Sequence, residues 1–483
     1  MNYRLVINLL GKILLIMAAL MLPSLFIAIF GGEGDILAML YSIIITAGAG
    51  SLMLFVKPKN TAFFAKEGFV LVALAWVSMS LLGALPFMFT GAFTNYIDAV
   101  FETASGFTTT GATVLNDIDG LPHGLGFWRC FIIFIGGMGV LVFVMAVLPL
   151  AKERSMHIMR AEVPGPSVGK LVAKAKNTAL ILYAIYLTLM LIETVLLLFG
   201  GMSAYKAITT AMSTAGTGGY MVTGLGLIGE SAYCQTVCTV FMLIFAVNFN
   251  LYFYILIRKL GLVVRNEELR WFLGIYVLAV AVIVLNTASM YKGLGEAIHH
   301  AAFNAASIYS TTGFASMDFD QWPSLSKAVL LLLMLCGGCA GSTAGGIKTS
   351  RVMILSKNIR NEMRRLAHPK YVQTLKVDGR PVEDAVVRAV QVYFFAIIAL
   401  VFASVLLISI NGYDLTTNIS AVFACIFNVG PGFNAVGPLC NYAHMSNLSK
   451  LVLTLDMLIG RLEIWPMLML FVPSTWRRRA GFR

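Results

Sequence analysis

Four short stretches of this chain carry the residues with the most to offer chemically. FTTTGAT (107–113), TAGTGGY (214–220), YSTTGFA (309–315) and IFNVGPG (426–432) each place a central glycine behind small or polar residues. Glycine adopts φ > 0 without a Cβ penalty, so the chain can turn there and aim successive carbonyls in one direction. A cation leaving water loses hydration on the order of tens of kcal/mol, which fixed oxygens must return. Backbone carbonyls do this without a formal charge that would trap the ion, and four loops around one line would form a ring of them. In this reading Gly111, Gly218, Gly313 and Gly430 turn the chain. Thr109, Thr110, Thr217, Thr311, Thr312, Asn428 and Val429 supply carbonyls or hydroxyls. Glycine and threonine also serve plain helix packing in membranes. One loop alone would favour packing; four loops at matching positions favour the ring.

A second constellation is LCGGCAGSTAGGIKTSR, 335–351. Gly337, Gly338, Gly341, Gly345 and Gly346, with Ser342 and Thr343, interrupt an apolar run just before Lys348. Such a stretch cannot make a firm lipid-facing helix. Irregular backbone at membrane depth is tolerated only inside protein or beside a water-filled cavity. The run is therefore expected beneath the ring, as a gate. It is not a phosphate loop, because Ile347 separates glycine from lysine and no strand precedes it. Cys336 and Cys339 form a C-x-x-C pair without a companion at metal spacing. Arg461 stands inside a spanning run, where insertion costs about 2.5–3.5 kcal/mol. It either pairs with Asp456 or Glu463, or holds the gate through hydrogen bonds to carbonyls. Glu102, nine residues before Gly111, is expected to support the first loop from behind. Glu193 is alone in a spanning run, Asn248 and Asn250 suit hydrogen bonds between helices, and His299 and His300 lack a metal set. No paired carboxylates face a pocket and no nucleophile–histidine arrangement is present, so an enzyme is not expected.

The elements that must position these residues follow from composition. Of 483 residues, 59% are hydrophobic and 12% charged, against about 25% charged in soluble domains. The chain reads as an all-α polytopic membrane protein without a cleavable signal peptide. Two apolar runs, 13–30 and 36–56, come first. Then a unit recurs four times: a spanning run, a short segment, a glycine loop and a second spanning run. The first runs are 69–89, 179–199, 271–289 and 390–410. The second are 127–150, 232–257, 327–348 and 451–472. The short segments, 95–107, 203–215, 296–309 and 414–427, cannot cross a bilayer and read as re-entrant half-helices. With ten spanning helices and the N-terminus inside, 29 of the 35 Lys and Arg fall on the cytoplasmic side. Five fall outside, and Arg461 lies within a run. That asymmetry fixes both termini as cytoplasmic in a plasma (inner) membrane and all four loops as external. The net charge of +12 is spread between apolar runs rather than gathered in an arm, so nucleic acid is not expected. The basic strip 357–388, with a turn at V-D-G-R (377–380), suits anionic lipid headgroups or an acidic soluble regulator. Most of the seven cysteines read as small core residues rather than a disulfide framework.

The phrases SGFTTTGAT, MRAEVPGP (159–166), GGCAGSTAGGIK (337–348) and GRLEIWP (460–466) carry a resemblance over almost the whole chain. It resembles the Trk/Ktr/HKT superfamily of cation-translocating subunits, of the TrkH type, which the additional front helix pair favours over the KtrB branch. The resemblance implies four helix–pore-helix–helix repeats in a pseudo-fourfold array around one pore, plus an N-terminal helix pair. The divisions would be 1–65 for the pair, then repeats 66–165, 166–265, 266–380 with an intramembrane gate loop at 336–350, and 381–483. It also implies potassium-selective permeation, with K+ as the transported ion held at the filter residues and no organic cofactor. A homodimer with one pore per protomer is implied, regulated by a cytosolic nucleotide-binding subunit of the TrkA type. For Arg461 it favours a place on the axis below the filter, holding the gate. Loops two and four depart from T-T-G, with GTG and NVG. A potassium symporter coupled to sodium or protons would use the same loops.

Overall fold

The computed structural model describes residues 1–58, 64–139, 175–368 and 374–476. MRAEVPGP, the basic residues from Lys152 to Lys174, the end of the run 127–150 and the final arginines lie outside the described residues. Helices dominate. The first three are α1 (Tyr3–Leu20), α2 (Leu22–Gly31) and α3 (Ile36–Leu54). Gly11 and Gly50 face each other where α1 crosses α3. A Cβ on Gly11 would lie 2.7 Å from the Gly50 carbonyl, so the small residues set how closely the two backbones approach.

The remainder repeats one order of elements. The first unit is α4 (Ala65–Gly83), α5 (Leu85–Phe89), the short α6 (Tyr96–Phe107) and α7 (His123–Gly137). The second is α8 (Ala175–Phe199), the short α9 (Ala204–Gly216), α10 (Ala232–Ala246) and α11 (Phe249–Leu256), followed by the linking helix α12 (Leu260–Val264). The third is α13 (Glu267–Thr287), the short α14 (Leu294–Tyr309), α15 (Ser324–Cys336) and α16 (Thr349–Ala367). The fourth is α17 (Asp384–Ser409), the short α18 (Leu415–Ile426), α19 (Asn447–Arg461) and α20 (Trp465–Phe471). At about 1.5 Å per residue none of the four short helices reaches the ~30 Å of a bilayer core. Three of them start on a side-chain cap, Asn95, Ser203 or Asp414, and all four bury their C-terminal halves.

The ten expected spans are of two kinds. Six helical segments among the described residues are long and apolar enough to cross: 3–31, 36–54, 65–89, 179–199, 267–290 and 384–409. These are the N-terminal pair and the first run of each unit. The second runs are not continuous helices. α7 ends at Gly137; α10 and α11 meet at a 93° bend. α15 stops before Gly337 (φ +64°), and α19 stops before Glu463 and Ile464 (φ +53° and +71°). Apolar composition registers exclusion from water and is blind to backbone continuity. Breaks at this depth are tolerated because they are buried in protein.

On one side of the bundle the two ends of the described chain meet. The Tyr3 hydroxyl donates to the Trp476 carbonyl, the two rings stack with centroids 6.3 Å apart, and Lys66 donates to the Ser474 carbonyl at 2.8 Å. The V-D-G-R turn is a two-stranded hairpin pairing Lys376 with Pro381 and Val377 with Arg380. Asp378 and Gly379 both have positive φ, +50° and +74°, as a two-residue I′ turn requires. The Asp378 carboxylate caps α13 by accepting from the Glu267 backbone N–H at 2.7 Å.

Candidate functional site

Each short helix ends in the same way. The backbone N–H of Thr110 bonds to the carbonyl of Ser105, that of Gly218 to Ser213, Thr312 to Ser307 and Val429 to Ala424, at 2.8–3.0 Å. These six-residue closures have the Schellman pattern, which requires a left-handed residue just before the donor. The residues in that place are Thr109, Thr217, Thr311 and Asn428, with φ between +54° and +58°. Three β-branched threonines in the left-handed region are backbone outliers that cost on the order of 1–3 kcal/mol each and persist only where surrounding structure dictates them.

Two residues on comes the turning glycine: Gly111, Gly219, Gly313 and Gly430, with φ +82°, +68°, +81° and +103°. In the second loop, therefore, the turning glycine is Gly219 and not Gly218. Gly218 instead takes the place held by Thr110, Thr312 and Val429. Anchoring on the wrong member of a Gly-Gly pair shifts the register by one. A legible signal was available: Ser105, Ser213 and Ser307 each stand six residues before the turning glycine of their loop.

The four glycines make a closed cycle of contacts. A Cβ on Gly111 would overlap the carbonyl oxygen of Gly218, one on Gly219 that of Thr312, and one on Gly313 that of Val429. A Cβ on Gly430 would lie 2.6 Å from the carbonyl oxygen of Thr110. Every loop thus seats the carbonyl of the next against bare backbone, and the fourth seats that of the first. All four glycines also border one cavity of about 120 Å³, along with Arg129, Tyr220 and Tyr442.

Hydroxyls and amides brace the ring from behind. The Thr110 hydroxyl lies 2.8 Å from that of Thr108 and accepts from the Asn428 amide at 2.9 Å; the Thr312 and Ser310 hydroxyls lie 2.7 Å apart. Glu102, fully buried, accepts from the Thr113 hydroxyl and from the Val114 N–H at 2.9 Å. It pairs with Arg129 at 2.7 Å. Arg129 donates to the Met221 carbonyl at 2.8 Å and lies 3.6 Å from the centre of the Tyr220 ring. Loops one and two are thereby tied through one buried ion pair. The third loop has a neutral counterpart, Asn304, which donates to the Ser316 hydroxyl at 3.1 Å. Arg129 is not singled out by the sequence, since nothing in linear spacing links it to Glu102. At the exposed start of α18, hydrogen bonds from Thr417, its hydroxyl foremost, hold the Asp414 carboxyl below its ordinary pKa.

The glycine-rich run lies directly against the base of these loops. Residues 337–348 are non-helical and mostly buried. The Gly345 N–H donates to the Thr311 hydroxyl at 2.6 Å, and the Gly346 N–H to the Phe427 carbonyl at 3.0 Å. Cys339 N–H bonds to the Ala246 carbonyl at 2.8 Å and the Thr343 hydroxyl to the Phe245 carbonyl at 3.1 Å, both at the broken end of α10. Gly337, Gly341 and Gly346 have positive φ, Gly338 abuts Ala344 and Ala246, and the Ser342 hydroxyl bonds to the Cys339 carbonyl at 2.7 Å. Lys348 is buried, itself at φ +81°, with its ammonium donating to the Ala344 carbonyl.

Arg461, half-buried, joins three pieces. It donates to the Thr343 carbonyl at 2.7 Å and to the carbonyls of Gly136 and Gly137 at 2.6 and 2.7 Å. The last two are carbonyls of the final turn of α7, where helical carbonyls carry partial negative charge. Glu463 is taken by Arg351, and Asp456 accepts from Ser404 at 2.7 Å. Of the two expectations for Arg461, hydrogen bonding to carbonyls is the one the geometry displays, one of them in the glycine-rich run. Other expectations move. Asn248 caps α11 by accepting from the Asn250 N–H at 3.0 Å, and His299 and His300 contact Gln235 and Ser316. Among the described residues no cluster of three His, Cys, Asp or Glu could hold a metal.

The family described as TrkH, cation transport protein, matches residues 36–478. The Trk system potassium uptake protein TrkH of Salmonella typhimurium is 33% identical over 485 residues, covering 99% of this chain and 100% of that one. Its namesake in Halomonas elongata is 34% identical over 487 residues, with the same coverage. The crystal structure of the potassium transporter TrkH from Vibrio parahaemolyticus superposes with a TM-score of 0.88 at 31% identity, covering 99% of this chain and 100% of that one. With a multi-pass helical fold, a family match over most of its length and relatives matched end to end, this chain belongs to the TrkH family of cation transport proteins.

Proposed function

We propose that the chain takes up potassium through a gated pore whose filter is the cycle of loop carbonyls. The observation that carries this reading is the closed order of contacts from Gly111 to Gly218, Gly219 to Thr312, Gly313 to Val429 and Gly430 to Thr110. Four backbone segments held edge to edge around a line, opening into a small cavity, are what carbonyl coordination of a dehydrated cation requires. The names of the relatives supply the ion. The four units form a pseudo-fourfold array, with the loops external and both termini cytoplasmic. The run 337–348 is the gate, in its closed position, because it bonds to the base of loops three and four and to the broken end of α10, and through Arg461 to α7. The Arg461 guanidinium adds a positive barrier on the same path.

A cytosolic nucleotide-binding subunit of the TrkA type fits the exposed face of α16. That helix starts one residue after the gate and presents exposed Ile359, Met363 and Leu366 beside basic residues. The chain works as a homodimer with one pore per protomer. The test is ion flux and current in proteoliposomes. A channel gives currents that reverse at the potassium equilibrium potential without any other gradient. Flux that demands sodium or protons identifies the coupled alternative, and no potassium flux in either condition overturns both.

A further inference from the structure

Beside the gate helix lies a groove that the pore does not use. It runs between the N-terminal turns of α13 and the middle of α16 and encloses about 670 Å³. Arg270, Lys357 and Arg360 stand along its upper wall with Trp271; Ile275 and Leu278 form its lower wall. Lys357 is paired with Glu267, so Arg270 and Arg360 carry the unbalanced charge. Arg270 gives one hydrogen bond to the Arg265 carbonyl at 3.1 Å and keeps other donors for a ligand. Gly274 leaves the floor open: a Cβ there would meet nothing within 4 Å. α13 is one of the six crossing segments and Leu278 is 66% exposed. The lower half of the groove therefore faces acyl chains, and the upper half lies where α13 leaves the membrane. Cations above, a tryptophan at the boundary and an apolar slot below match the chemistry of a two-part ligand.

We propose that this groove binds an anionic phospholipid, its phosphate on Arg270 and Arg360 and an acyl chain along Gly274, Ile275 and Leu278. The ligand bridges α13 and α16. Because Lys348 immediately precedes α16, and Lys357 also donates to the Lys376 carbonyl at 2.8 Å, the lipid pins the helix that leads out of the gate run. The inference rests on the chain being a membrane protein and not on the filter reading, so either can fail alone.

The test is native mass spectrometry of the full chain in mild detergent, titrated with phosphatidylglycerol, phosphatidylcholine or glycerol 3-phosphate. Saturable binding of phosphatidylglycerol is expected, with phosphatidylcholine much weaker. The Arg270→Gln/Arg360→Gln variant should bind phosphatidylglycerol about 30-fold more weakly, at roughly fivefold per basic residue. Gly274→Leu fills open space and leaves every charge in place, and it should weaken phosphatidylglycerol binding at least tenfold at unchanged melting temperature. Wild-type affinity in both variants overturns the site. Equal affinity for glycerol 3-phosphate and phosphatidylglycerol overturns the acyl contact. A dimer that dissociates in Gly274→Leu while phosphatidylglycerol fails to compete assigns the groove to a second copy instead.

Discussion

Alanine at Gly219 and alanine at Gly218 should behave in opposite ways. Gly219 sits at φ +68°, where a residue with a Cβ loses about 1–2 kcal/mol. Its Cβ would also overlap the Thr312 carbonyl oxygen, which must retreat by about an ångström to reach ordinary contact. A carbonyl drawn off the ring forfeits a charge-assisted interaction of about 1.5–3 kcal/mol with the ion. Together these give roughly 2.5–5 kcal/mol. At about 1.4 kcal/mol per tenfold, potassium flux should fall by at least about 60-fold. Gly218 has no positive φ, and the nearest atoms its Cβ would meet are side-chain carbons of Ile133, the first at 2.7 Å. Those can rotate, so Gly218→Ala should keep flux within about tenfold of wild type. The assay is potassium-dependent uptake into proteoliposomes loaded with equal amounts of protein that elutes as a single species. Loss of flux in Gly218→Ala with flux preserved in Gly219→Ala would refute both the register and the ring.

Three further outcomes are expected. Arg461→Ala removes a donor to the carbonyls of Thr343, Gly136 and Gly137, and the leak of the purified chain should rise several-fold; unchanged flux in proteoliposomes counts against Arg461 as the tie that holds the proposed gate. Glu102→Gln leaves Arg129 buried beside a neutral group, which should cost about 3–5 kcal/mol; a lower melting temperature and weaker discrimination of potassium from sodium are both expected, and retention of both would show that the ion pair does not position loops one and two. Asp414 has a folded pKa below its unfolded value, so its stabilisation is complete above the ordinary carboxylate range and is lost as pH falls through the lowered value. Melting scans of wild type against Asp414→Asn should therefore differ at neutral pH and converge in acid; a constant gap across the range would remove Asp414 as the source.

Much of this was readable in the residues alone. The four short helices lie within two residues of where the apolar segments put them, because amphipathic stretches flanked by Asn95, Ser203 and Asp414 announce helix starts. The glycine-rich run is where its lack of side chains required it to be. The breaks in the second helices were less legible. Residues 327–348 and 451–472 are apolar throughout most of their length, and hydropathy does not register where a backbone must stop so that α10 and α19 can end against the glycine-rich run. The second loop misled because T-G-G-Y offers two candidate glycines, and choosing between them takes the six-residue spacing back to Ser213 that loops one and three share. Arg129 and Tyr220 were invisible as site residues, since Arg129 meets Glu102 only when the two helices of unit one pack, and Tyr220 reaches the Ala112 carbonyl only when units one and two pack.

The cycle of glycine seats has a consequence for biosynthesis. Its final contact, Gly430 against Thr110, unites the last loop to leave the ribosome with the first. Until that meeting loops one and three each have one flank unsupported, and their left-handed threonines lack a neighbour that holds them. Nascent chains halted before the fourth loop should therefore be inserted yet unable to conduct, and quality-control proteases would find their cleavable segments at the unclosed seam between units one and three.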